Sequence, residues 1–166
     1  MRYAVLGACV LLSCVPPPTT EDCREAAPGD TSFIALECNF QGYESWELSQ
    51  FDGGFVDESH PSGTRWVYLN HRPPDGGTEW PVGTIFVKVL DFTSFASVKR
   101  GGGFNPDGAV GWEWFELEYD ANNATRIKWR GVGPPIGENY SATGQTCNAC
   151  HVGSDNDHVL TPAYRL

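Results

Sequence analysis

The chain has 166 residues, among them Gly 19 and Pro 12, and carries a formal charge of -10 from 11 Lys and Arg against 21 Asp and Glu. A hydrophobic fraction of 40% with 19% charged residues excludes a disordered polyelectrolyte, and so much Gly and Pro excludes a bundle of long helices. The negative balance repels phosphate backbones, which excludes a nucleic-acid partner.

The N-terminus reads Met1-Arg2, an apolar stretch from Tyr3 to Leu12, then Ser13-Cys14. One positive charge, a short apolar core and small residues at its end describe an export signal over residues 1–13. Leu11-Leu12-Ser13-Cys14 also resembles a bacterial lipobox, with Cys14 as the lipidated residue. The alternative is an ordinary secretory signal cut nearby. Val15 to Thr20 holds three consecutive prolines, so residues 14–22 form an extended tether and the folded domain spans 23–166. The expected location is the periplasmic face or the outer membrane, with the membrane reached only through the lipid. No later apolar run approaches the roughly 20 residues of a spanning helix.

Cysteines stand at 9, 14, 23, 38, 147 and 150. Cys9 leaves with the signal, Cys14 carries lipid, and Cys147 and Cys150 belong to one local motif. Cys23 and Cys38 remain as a disulfide pair in an oxidising compartment, or as two buried thiols. A bond there constrains the unfolded chain by about 3 kcal/mol.

Tyr43–Phe51 fits a short helix or a strand equally. Strands are expected at Arg65–Arg72, Thr84–Phe92, Gly111–Asp120 and Thr125–Arg130, each rich in β-branched and aromatic residues and bounded by Gly, Pro, Asn or Asp turns. The last two form a hairpin. The fold class is therefore mainly β, an antiparallel sheet with one short helix over 145–152.

Within Ile85-Phe86-Val87-Lys88-Val89-Leu90 the only polar residue is Lys88, and period two sets it on the face of Phe86 and Leu90. A buried ammonium without a partner turns neutral and nucleophilic. The alternative, which spacing alone favours, is an edge-strand lysine or one whose head reaches water.

Near the end stands Cys147-Asn148-Ala149-Cys150-His151, the C-x-x-C-H of c-type haem attachment. The two thiols, one helical turn apart, reach the two vinyl groups of one porphyrin, and His151 follows to ligate the iron. A zinc site lacks a second Cys/His pair of ligand spacing, and no thioredoxin-like pattern surrounds the motif. Met1 is the only methionine, so His/Met ligation is excluded. His60, His71, His158 or a lysine remain as sixth ligands. Turn histidines are poor candidates, and an open or water-bound iron face is the expectation.

Tyr43-Glu44-Ser45-Trp46, Val67-Tyr68-Leu69, Gly83-Thr84-Ile85-Phe86-Val87-Lys88, Gly111-Trp112-Glu113-Trp114-Phe115, the haem motif and the tail Asp155 to Thr161 resemble, in order and spacing, the cytochrome P-460 family and its cytochrome c′-beta relatives. The likeness covers residues 40–166. It implies a mostly β periplasmic domain, often a homodimer, with covalently attached haem c. It also implies that Cys147 and Cys150 are thioethers, that His151 is the proximal ligand, and that Lys88 is the lysine joined to the porphyrin. Enzyme members of the family oxidise hydroxylamine in the presence of nitric oxide, passing electrons to a partner. The relatives bind nitric oxide or carbon monoxide. A bis-His electron carrier is the remaining alternative. The enzyme members place a distal carboxylate on a longer segment before Trp112, which this compact glycine-rich stretch does not match. Glu113 and Glu138 are the acids available to replace it.

Overall fold

The computed structural model describes residues 23–52, 63–90, 93–137 and 146–166. Cys14, His60 and Glu138 lie outside them. Six strands, β1 (Glu47–Asp52), β2 (Thr64–Leu69), β3 (Ile85–Leu90), β4 (Thr93–Lys99), β5 (Trp112–Tyr119) and β6 (Thr125–Gly131), form one sheet. Each is antiparallel to the next and the spatial order follows the chain. The one α-helix among the described residues is α1 (Cys147–His151), which is shorter than the sequence indicates.

One open alternative is resolved, and one strand is added. Tyr43–Phe51 divides into a 3-10 turn at Tyr43–Ser45 and strand β1. Strand β4, Thr-Ser-Phe-Ala-Ser-Val-Lys, is an element the sequence did not signal. Its small residues have weak strand preference, but it lies between β3 and the aromatic-rich β5, and neighbours decide strand formation more than intrinsic preference does. Because β3 pairs on both sides, the edge-strand reading of Lys88 is also overturned.

Both faces of the sheet are covered, which is why β3 reads as a nearly continuous apolar run rather than as alternation. On one face Ile85, Val87, Ala96, Val98, Phe115 and Leu117 pack against Phe33, Ala35, Phe40 and Tyr43 of the N-terminal segment. On the other, Val67, Leu69, Phe86, Trp112, Trp114 and Trp129 pack against Trp80 and the tail residues Val159 and Tyr164. The sulfurs of Cys23 and Cys38 lie at disulfide distance, with Cα atoms 5.9 Å apart, and tie down the segment that covers the first face. Gly101 has φ +67 where a Cβ would collide with the Thr31 carbonyl, and the Ser32–Gly101 bridge needs that close approach.

A register shift opposite Glu116 and Leu117 skips Lys128 and marks a bulge in β6. Leu117 stays on the first face opposite Ile127, while Glu116 pairs with Trp129 and Phe95 on the second.

Candidate functional site

The second face carries a cleft. It is open to solvent along one side, and its cavity volume is about 120 Å³. Its wall is Val67, Phe86, Phe95, Trp114 and Trp129 from the sheet, and its rim is Pro134, Leu160 and Thr161. Cys147, Cys150, His151, His158 and Lys88 all line it. The fold thus brings Lys88 to the same cavity as a motif about 60 residues further along the chain, as the parity of β3 requires.

Helix α1 is too short to be stable alone and is fastened by its own side chains. Asn148 Oδ1 accepts from Asn105 Nδ2 at 2.8 Å, from Ala109 N at 3.2 Å and from the Trp114 indole at 3.1 Å, and its Nδ2 donates to Asn105 Oδ1 at 2.9 Å. Asn105 has φ 57, a conformation asparagine tolerates better than most residues. Gly108 leaves the room: a Cβ there would overlap the Asn148 amide. Asn148→Ala strands two donors, the Ala109 N–H and the Trp114 indole, since the Asn105 amide keeps the Ala109 and Trp112 carbonyls, and a buried unpaired donor costs about 1–3 kcal/mol. Urea unfolding is expected to show a loss of about 2–3 kcal/mol; a loss inside experimental error would mean that α1 docks without this latch.

His151 is oriented from two sides. Its ring centroid lies 4.5 Å from that of Trp114, and its Nδ1 lies 2.7 Å from the carbonyl oxygen of His158. A carbonyl only accepts, so Nδ1 carries the proton and Nε2 keeps a lone pair, the arrangement of a metal-binding imidazole. His158 returns the contact, its Nδ1 donating to the His151 carbonyl at 3.2 Å. This places His158 beside His151. His71 is exposed and absent from the cleft wall.

Neither Cys147 nor Cys150 is in a disulfide. Burial pushes the Cys147 thiol up to about 11, opposed by the positive charge of Lys88 and assisted by Cys150. Lys88 is thus within electrostatic reach of Cys147, and its Nζ stands 5.8 Å from the Phe95 ring centroid. A thiol that ionises less readily folded than unfolded favours the fold while both states are protonated. That stability is lost as pH rises from about 9, the ordinary value, through about 11. Haem-free protein is expected to show this loss in its denaturation midpoint, and Cys147→Ala to flatten it; equal slopes would disprove the assignment.

Glu113 is corrected. It is 2% exposed but lies on the first face, where Arg130 donates to both its oxygens at 2.8 and 2.7 Å and Arg100 donates at 3.1 Å. Alternation along β5 turns it away from the cleft, so it cannot serve as a distal acid.

Glu116, which the sequence reading passed over, is the buried carboxylate on the cleft side of β5, receiving Lys128 Nζ and the Trp129 indole at 2.8 Å each. It stands behind Trp129 rather than in the wall. Its one available signal was parity with Trp112 and Trp114.

Among the described residues no group of three or more His, Cys, Asp and Glu side chains is arranged to hold a metal ion. Against protein-family models, curated proteins and solved structures the chain finds no match.

Proposed function

We propose that the protein is an exported, lipid-anchored c-type haem protein of the cytochrome P-460 kind, oxidising hydroxylamine or a related small nitrogen compound. The observation that carries the reading is the meeting of Lys88 with Cys147, Cys150 and His151 in one apolar cleft. The donor set fits haem c: two cysteines three residues apart, neither in a disulfide, and an imidazole whose Nδ1 proton is already committed. The aromatic wall of Phe86, Phe95, Trp114 and Trp129 suits a flat macrocycle.

In this reading Cys147 and Cys150 hold the haem as thioethers and His151 Nε2 ligates its iron. Bound there, the group supplies an electrophilic metal for the nitrogen compound and a conduit for its electrons to a separate acceptor protein. The chain does the rest. Phe86, Phe95, Trp114 and Trp129 exclude water from the cleft. Lys88, the lysine joined to the porphyrin in the enzymes this chain resembles, holds the macrocycle on the sheet side. Glu116 holds the Trp129 indole through its N–H.

A second reading has its own observation. The described residues of the cleft wall include no carboxylate, and a proton acceptor within hydrogen-bond reach, directly or through one water, is what oxidation needs. That favours a binder of nitric oxide or carbon monoxide without turnover. One preparation tests both. Protein matured in a periplasm with its haem-attachment machinery is expected to be coloured, to carry haem in its intact mass and to take up carbon monoxide when reduced. Hydroxylamine turnover with an artificial acceptor selects the enzyme; ligand uptake without turnover selects the gas binder. A colourless product removes both.

A further inference from the structure

We infer that the buried ion pair of Lys99 and Asp157 is a positioning device for the ring of His151. The haem reading gives this device its use, but its geometry stands without it.

Lys99 closes β4, and Asp157 lies in the tail beyond α1. Their side chains are 8% and 9% exposed, and Lys99 Nζ lies 2.7 Å from each carboxylate oxygen. The remaining contacts of the pair are also with the body of the domain. Asp157 Oδ2 accepts the Trp80 N–H at 2.8 Å, Lys99 Nζ donates to the Val110 carbonyl at 3.5 Å, and Nζ stands 5.4 Å from the Trp112 ring centroid. The Trp80 indole donates to the Asn156 carbonyl at 3.3 Å.

The tail does not take this path by local preference. Asp157 has φ 46 and His158 has φ 66, two successive non-glycine residues in the left-handed region, which persist only where surrounding contacts enforce them. The consequence falls on the next peptide. With Asp157 held, the His158 carbonyl is turned onto His151 Nδ1 at 2.7 Å. A ligating imidazole takes its orientation and basicity from the acceptor of its other ring proton. Lys99 belongs to the strand paired with β3, so the imidazole and Lys88 are referenced to the same two strands.

The decisive variant removes both charges, because removing one leaves the other buried and unpaired. Lys99→Met combined with Asp157→Asn preserves volume and leaves an acceptor for Trp80. In coloured protein the ferrous iron–histidine stretching band is expected to move to lower frequency, and Lys99→Arg alone, which keeps the pair, to restore it. In haem-free protein, exchange of the His151 ring N–H is expected to accelerate about tenfold, the factor one lost hydrogen bond supports. An unmoved band and unchanged exchange in a double variant that melts like the parent overturn the inference. So does loss of the sheet itself, since the pair would then hold the body rather than the tail. A colourless parent defeats the haem reading alone, because the exchange measurement still decides the clamp.

Discussion

Glu113→Leu is expected to lower unfolding stability by about 3 kcal/mol while leaving any haem spectrum unchanged. Glu113 is 2% exposed and accepts three hydrogen bonds from two guanidinium groups. Removing it abandons Arg100 and Arg130 on a face they share with Phe104 and Phe115, whose ring centroids lie 4.4 and 4.9 Å from the respective guanidinium carbons. Breaking a buried pair costs about 3–5 kcal/mol because the surviving charge is left uncompensated. The lower end applies here, since Arg100 and Arg130 keep 28% and 29% of their side-chain surface in water, and Arg130 retains the Ala35 carbonyl at 2.7 Å. Urea unfolding followed by tryptophan fluorescence measures it. A loss below about 1 kcal/mol, the scale of an exposed ion pair, would show that the triad contributes little. A shifted haem spectrum would return Glu113 to the cleft side, against the alternation of β5.

The sheet was legible wherever a strand carried its own signal. β2, β3, β5 and β6 combine aromatic and β-branched residues with turn chemistry at both ends, and the β5–β6 hairpin is closed by Asp120, whose carboxylate accepts the Asn122 and Ala124 N–H groups. β4 had no such signal, because its place is set by the strands beside it. Parity placed Lys88 correctly, and it placed Glu113 with Phe115 and Leu117 correctly too. What parity could not reveal was which face the cleft occupies, for both are buried and neither is marked by polarity. The fastenings of the site were invisible for a different reason. Asn105 and Asn148 are 43 residues apart, Lys99 and Asp157 are 58 apart, and the turn of the tail depends on positive φ at two residues that are not glycine. Local pattern records none of these, since each is decided by tertiary contact.

Lys88→Leu separates function from fold more sharply than any other single change. Lys88 is half-buried beside Val67, Phe86 and Phe95, so leucine fills the same apolar wall. The charge contributes a contact with the Phe95 ring, worth about 0.5–1 kcal/mol when exposed. Stability is therefore expected to change by no more than about 1 kcal/mol, and haem should still be attached through Cys147 and Cys150. Two properties should not survive. In the parent, a tryptic digest is expected to keep the peptide containing Lys88 with the peptide containing Cys147 to His151, whereas the variant releases it. Hydroxylamine turnover should fall to background, a loss of more than about tenfold, while carbon monoxide uptake persists, since the iron remains accessible. Turnover equal to the parent's would mean that Lys88 is a wall residue like its neighbours. Parent peptides that separate, with no turnover in either protein, would leave the gas-binding reading in possession of the cleft.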